Sequence, residues 1–293
     1  MIKLNRIFPC LLHWRSAWSL PMATEVNKEL KQFPLVPLAP RVNPTGRGVR
    51  KKQTSNPIFK LNDATTLQGF QSMPSVSHIL NETRSEEDVL KLNQWKNAKI
   101  RELGGEEQFQ EYSESMAQFS AQCHSLIKKK IENEIDFESA ADIGDERTKN
   151  ILKQFDQIRA ANVTDISMCE KTVVHDVLGY RGKFDCLIEV SGLRLIADWK
   201  IPDNANRRRL GIQDCQLSEL LQCVAYLGAI NHSKLVEKPL DGFCLVYLYH
   251  DNQSPPDAQV VTGKDCNPFW AAWVSKVKQY HSQSSENLKA FSS

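Results

Sequence analysis

Asp198 and Lys200 stand two residues apart at the end of an apolar run, GKFDCLIEVSGLRLIADWK (Gly182 to Lys200), with a second carboxylate upstream at Asp185. Alternate residues of a strand share a face. Phe184, Cys186, Ile188 and Val190 therefore make one apolar set, which Leu193, Leu195, Ala197 and Trp199 continue after Ser191-Gly192. A Ser-Gly pair between alternating runs predicts a two-residue hairpin turn. Counting outward from it sets Val190 against Leu193 and Asp185 against Asp198, with Glu189 facing Arg194 as an expected ion pair and Lys183 opposite Lys200. Two carboxylates directly across a hairpin lie ~5 Å apart at Cβ and repel. A hard divalent ion, Mg²⁺ or Mn²⁺, removes that repulsion, because it takes one or two carboxylates and leaves its other positions to water and phosphate oxygens. Such an ion polarises a phosphodiester, steadies the leaving oxygen and acidifies a bound water. Lys200, one pleat further on, points at the same place. It is expected to orient that water, to accept its proton if its pKa is lowered, or to stabilise the developing charge. The alternative is a solvated strand end whose charges face water.

The elements that must position these residues follow from periodicity. Helices are expected over Glu86–Leu103, Glu106–Glu132 and Asp145–Ala160, and strands over Glu170–Asp176, Lys183–Val190 and Leu193–Lys200. A loop with Asn206-Arg207-Arg208-Arg209 comes next, then a helix Leu217–Asn231, a strand Gly242–His250 and a closing helix from Asn267 to about His281. Helices, then a hairpin, then helix, strand and helix predict an α/β protein: a central mixed β-sheet flanked by helices, with an N-terminal helical portion. Arg207, Arg208 and Arg209, on a loop just past the hairpin, are expected to track phosphates, with a solvated loop as the alternative for at least one of them.

Composition narrows the classes. The net charge of +2 argues against a broad basic surface, so contact with nucleic acid must come from local patches. Cysteines at 10, 123, 169, 186, 215, 223, 244 and 266 show no C-x-x-C spacing, which argues against zinc ribbons and cysteine-held clusters and for reduced core thiols. Residues 1–24, MIKLNRIFPCLLHWRSAWSLPMAT, hold Lys3, Arg6 and Arg15 among apolar residues and no acid. This is the pattern of a mitochondrial transit peptide, an ordinary basic tail being the alternative; the apolar core is too interrupted for a secretory signal. Residues 25–73, rich in Pro, Asn, Thr and basic residues including RGVRKK, read as a disordered linker. The folded domain is expected over 74–285, with no membrane span.

Gly182-x-x-Asp185, Asp198-Trp199-Lys200, the helix Gln222-Cys223-Val224-Ala225-Tyr226 and His124 in CHSLI occur in an order that resembles the PD-(D/E)xK nuclease superfamily in its RecB-like branch. The resemblance implies the nuclease core of that superfamily, with Asp185, Asp198 and Lys200 catalytic and with His124 joining Asp185 and Asp198 on Mg²⁺ or Mn²⁺. On a helical stripe with Met116, Ser120, Ile127 and Ile131, such a histidine is otherwise a hydrogen-bonded core residue. Gln222 and Tyr226, four apart on one helix face, are implied to contact substrate or catalytic groups rather than only fill the core. Where the branch often has Thr after D-x-K, this chain has Ile201-Pro202. Iron-sulfur members carry four suitably placed cysteines; here Cys123 adjoins His124 with no cluster near the C-terminus, so no iron-sulfur cluster is expected. The implied activity is exonucleolytic cleavage of single-stranded DNA ends by a monomer in the mitochondrial matrix, alongside the mitochondrial DNA replication machinery. The other class is a non-catalytic nucleic-acid-binding protein retaining the fold, in which paired acids beside phosphates would only repel.

Overall fold

The hairpin counted from Ser191-Gly192 is the centre of the molecule. The computed structural model describes residues 23–35, 72–133, 144–161, 163–203, 209–251 and 253–291. Strands β4 (Cys186–Val190) and β5 (Leu193–Lys200) pair antiparallel from Val190↔Leu193 to Cys186↔Ala197. Ser191 and Gly192 both have positive φ, 52° and 82°, as a turn matched to the twist of its strands requires. On one side β4 pairs with β1 (Val163–Ser167). On the other, β5 runs parallel to β6 (Gly242–Tyr247), which pairs antiparallel with β7 (Asp257–Thr262), giving a mixed sheet of order β1-β4-β5-β6-β7. A parallel neighbour needs a long crossover, and a helix between Leu217 and Ser233 supplies it.

Seven helices surround the sheet among the described residues: α1 (Ala23–Gln32), α2 (Val76–Glu82), α3 (Glu86–Leu103), α4 (Glu106–Ile131), α5 (Glu146–Arg159), α6 (Leu217–Ser233) and α7 (Asn267–Phe291). Strands β4 to β6 are buried on both faces, which is why their sequences read as almost unbroken apolar runs. Cys186, Ile188, Leu195, Ala197 and Trp199 pack on α4 and α5 through Cys123, Ile127, Ile151 and Phe155. Leu187, Ile196, Phe243 and Leu245 pack beneath α6 and α7 through Val224, Leu227, Trp270 and Trp273. The chain is thus an α/β protein with a central mixed sheet flanked by helices and a helical N-terminal portion, as expected. No helix among the described residues is long and apolar enough to cross a membrane.

Four expectations need correction. The strand expected over Lys183–Val190 breaks at Asp185: Tyr180–Phe184 is a separate strand, β3, paired with β2 (Lys171–His175) in a second sheet, so Lys183 faces Thr172 and not Lys200. Phe184 goes with it into the core under α6. Arg194 does face Glu189, but its guanidinium turns to Asp241 and to the carbonyls of Lys238 and Pro239. The linker read over 25–73 begins with structure: α1 packs on α7, where Lys278 pairs with Glu29 at 2.6 Å, the Trp270 indole donates to Phe33 O at 2.7 Å, and Leu35 is buried. The presequence up to residue 22 and the RGVRKK cluster lie outside the described residues.

Candidate functional site

The break at Asp185 makes the site. The ladder stops one pair short of Asp185 and Asp198, and a side-chain bond replaces it: Asp185 Oδ2 accepts from the Trp199 N–H at 2.8 Å. Its backbone carbonyl accepts from Glu170 N, also at 2.8 Å. The carboxylate is therefore fixed against the C-terminal end of β5. From the facing helix α4, His124 brings Nδ1 to 3.5 Å from Asp185 Oδ2. Burial opposes a charge on this imidazole, but the Asp185 carboxylate more than offsets that and the His124 pKa is raised.

Asp198 and Lys200 share the opposite face of β5, towards α6. Asp198 is 4% exposed, and burial, partly countered by Lys200 and reinforced by the charge of Asp185, pushes its pKa up to about 6. Lys200 Nζ lies 2.6 Å from Asp198 Oδ2 as an ion pair. Burial alone lowers the Lys200 pKa, yet the Asp198 charge outweighs it and raises it. With Asp198 paired to it, Lys200 is an ammonium and not a ready proton acceptor. Its hydrogen bond goes to Gln222 Oε1 at 2.7 Å, and Gln222 Nε2 in turn donates to the Tyr226 hydroxyl at 3.1 Å. The spacing of four on α6 thus aligns a chain of contacts that ends on Lys200.

Of the residues singled out from sequence, His124, Asp185, Asp198, Lys200, Gln222 and Tyr226 are brought to the end of β5. Tyr226 is buried, so it acts on Gln222 and is no surface platform. Arg207 and Arg208 lie outside the described residues. Arg209 is mostly buried: its N–H donates to the Tyr249 hydroxyl and Asp257, which pins one end of their loop. Glu170 was missed. Its carboxylate, His124 and Asp185 offer ligand atoms all within 4.8 Å of one another, whereas Asp198, drawn to Lys200, is not one of this close group. In the sequence Glu170 reads only as the first residue of the strand expected over Glu170–Asp176, with no pattern that marks a ligand.

These donors fit a divalent cation. Carboxylates with one imidazole suit Mg²⁺ or Mn²⁺. A second group, His175, Asp176 and His232, does not fit. The two rings stack at 4.0 Å with 8° between their planes. Imidazole lone pairs lie in the ring plane, so two parallel planes cannot converge on one ion.

Beyond the site, α3 folds back on α4, with Trp95 edge-on to Phe109 and Lys96 paired with Glu106 at 2.8 Å. Helix α3 has no buried residue, and Trp95 is 53% exposed. At the far side of this arm the Tyr112 hydroxyl bonds Asp203, just past Lys200. Phe119 is buried and covered by the Arg147 guanidinium at 4.1 Å, and Lys130 is buried against Asp156, so neither is open to a ligand.

No family model matches the chain. It is 28% identical over 212 residues to mitochondrial genome maintenance exonuclease 1 of Homo sapiens, covering 71% of this chain and 58% of that protein. With the Mus musculus protein of the same name it shares 28% over 219 residues, 75% of this chain and 62% of the relative. The chain thus spans about three fifths of the length of these curated relatives. In sequence the chain resembles mitochondrial genome maintenance exonuclease 1.

Proposed function

We propose that this chain is a metal-dependent deoxyribonuclease that removes nucleotides from free ends of single-stranded DNA, flaps and linear fragments, in the mitochondrial matrix during replication and maintenance of mitochondrial DNA. The observation that carries this reading is the convergence of Asp185, Asp198 and Lys200 with His124 from α4 and Gln222 from α6. The names of the relatives support the compartment and the exonucleolytic class. A protein that only bound nucleic acid would gain nothing from a buried, pKa-raised carboxylate beside a phosphate.

His124, Asp185 and Asp198 would hold Mg²⁺ or Mn²⁺, which when bound supplies a Lewis acid for the phosphate and an acidified water. The Lys200 ammonium stabilises negative charge that builds on the phosphoryl oxygens. Gln222 fixes the height of Lys200 Nζ, and Tyr226 fixes Gln222. Arg207 and Arg208 are assigned to phosphates entering past Lys200. The arm of α3 and α4 offers Trp95 as a stacking platform for a single strand, a contact every base can make. A near-neutral protein grips duplex DNA poorly. The protein acts as a monomer in this reading, and residues 1–24 carry it to mitochondria.

The deciding assay digests end-labelled linear single strands, circular single strands and blunt duplexes of matched sequence at one salt concentration, with and without Mg²⁺. Linear strands are expected to be shortened from their ends only when metal is present, while circles and blunt duplexes resist. Equal rates on circles and linear strands would mean internal cutting. No cleavage of any substrate with metal present would favour a binding protein.

A further inference from the structure

We infer that Glu170 is a protein ligand of the divalent ion beside His124 and Asp185, and that Lys183 is its counterion while the ion is absent. The inference rests on the reading of the site as a metal centre and adds a residue to it. Ligand atoms around a small divalent ion at ~2.1 Å stand about 3 Å apart when adjacent and about 4 Å apart when opposite. The atoms offered by Glu170, His124 and Asp185 lie within 4.8 Å of one another, so a small contraction closes the set. Asp198, 4% exposed, adds a buried carboxylate at the same end of β5.

Backbone geometry holds Glu170 in position. It sits between β1 and β2 with φ of 57°, a left-handed conformation that costs a residue with a side chain ~1–2 kcal/mol. Its N–H to Asp185 O ties that strained residue to the metal-site aspartate. Its carboxylate pairs with Lys183, whose side chain is 59% exposed against 19% for Glu170. A pair with so exposed a lysine contributes little to stability, so the pair does not explain why Glu170 is held inward. A carboxylate kept beside a histidine and an aspartate, with a removable cation on it, is what an ion site needs when empty of its ion. The register corrected above makes this possible, because the diversion of β3 brings Lys183 to Glu170 instead of Lys200.

The test measures Mn²⁺ binding to the full chain by calorimetry, without DNA. Glu170→Gln keeps size and polarity and is expected to weaken Mn²⁺ binding at least ~10-fold, as Asp185→Asn does. Lys183→Met removes the competitor and is expected to leave Mn²⁺ binding equal or tighter. Unchanged affinity in Glu170→Gln overturns the inference and leaves the metal-centre reading standing. Weakening by Lys183→Met to the same extent also overturns it, because the pair is then structural. No Mn²⁺ binding by the unaltered protein overturns both readings. Should Glu170→Gln fail to fold, Glu170→Asp and Lys183→Met decide on the same terms, with a shortened carboxylate expected to weaken Mn²⁺ binding and unchanged affinity counting against the inference.

Discussion

Asp198 is a carboxylate held where water is scarce, beside the Lys200 ammonium. Asp198→Asn keeps an acceptor for Lys200 and removes the charge, so cleavage of single-stranded DNA should fall by ~10²–10³ or more, the scale of losing one preorganised charged group, while DNA binding persists in a mobility-shift titration. Turnover near that of the unaltered protein would remove Asp198 from the site. His175 gives a separate pH signature. It is buried, and burial, reinforced by His232 and opposed by Asp176, lowers its pKa to about 3. Between pH 6.5 and 3 the unfolded imidazole binds a proton that the folded one refuses, so stability is full above about 6.5 and falls as pH drops; at pH 5 the loss is about 2 kcal/mol. Asp198 works with the opposite sign, since a raised carboxylate loses stability as pH rises through about 6. The comparison must therefore be between proteins. His175→Asn keeps an acceptor for the Leu178 N–H, and urea denaturation at pH 7 and pH 5 should show it losing about 2 kcal/mol less on acidification. An identical loss in both proteins would place the acid sensitivity elsewhere.

At the scale of elements, β3 packs tightly against α6. A Cβ on Gly182 would stand 2.3 Å from the Tyr226 ring and 3.2 Å from Val76. The Gly182→Ala variant must push Tyr226, and with it the Gln222 amide that holds Lys200. Overpacking of this kind costs ~1–3 kcal/mol, read as a lower denaturation midpoint. The turnover number should fall as well, while Mn²⁺ affinity stays, because the Trp199 N–H anchors Asp185 and His124 hangs from α4. Loss of metal binding in this variant would show that the site is one unit and not two halves. Helix spans were legible where caps and period agreed: Ser85 caps α3 by accepting from Asp88 N at 3.1 Å, Gly104 ends it at φ 95°, and the expected limits Glu86–Leu103 hold. Strands β1 and β7 were not foreseen. They are the two edges of the sheet and short, and their apolar alternation is diluted by Asp165 in β1 and by the buried Gln259 in β7, which donates to Arg209 O.

For the whole molecule, α1 decides where the folded unit begins. Removing residues 1–22 should leave the unfolding free energy unchanged, whereas removing 1–35 should lower it by about 2 kcal/mol or more, the scale of exposing one buried leucine, with Leu35 and the contacts to Trp270 and Lys278 lost together. Equal stability of the two truncations would mean that α1 is not anchored in solution. Sequence by itself determined what depends on neighbours along the chain: the turn at Ser191-Gly192, the register down to Cys186↔Ala197, and Asp198 and Lys200 on one face. Those follow from a two-residue period and a turn, both local. The tertiary structure alone decided that Asp185 leaves the ladder to bind the Trp199 N–H, that Phe184 and Lys183 turn to a second sheet, that Glu170 closes on His124, and that α1 docks on α7. Each of these is a contact between two segments, whether near or far along the chain, and its free energy belongs to the packed pair, which periodicity along either segment does not contain.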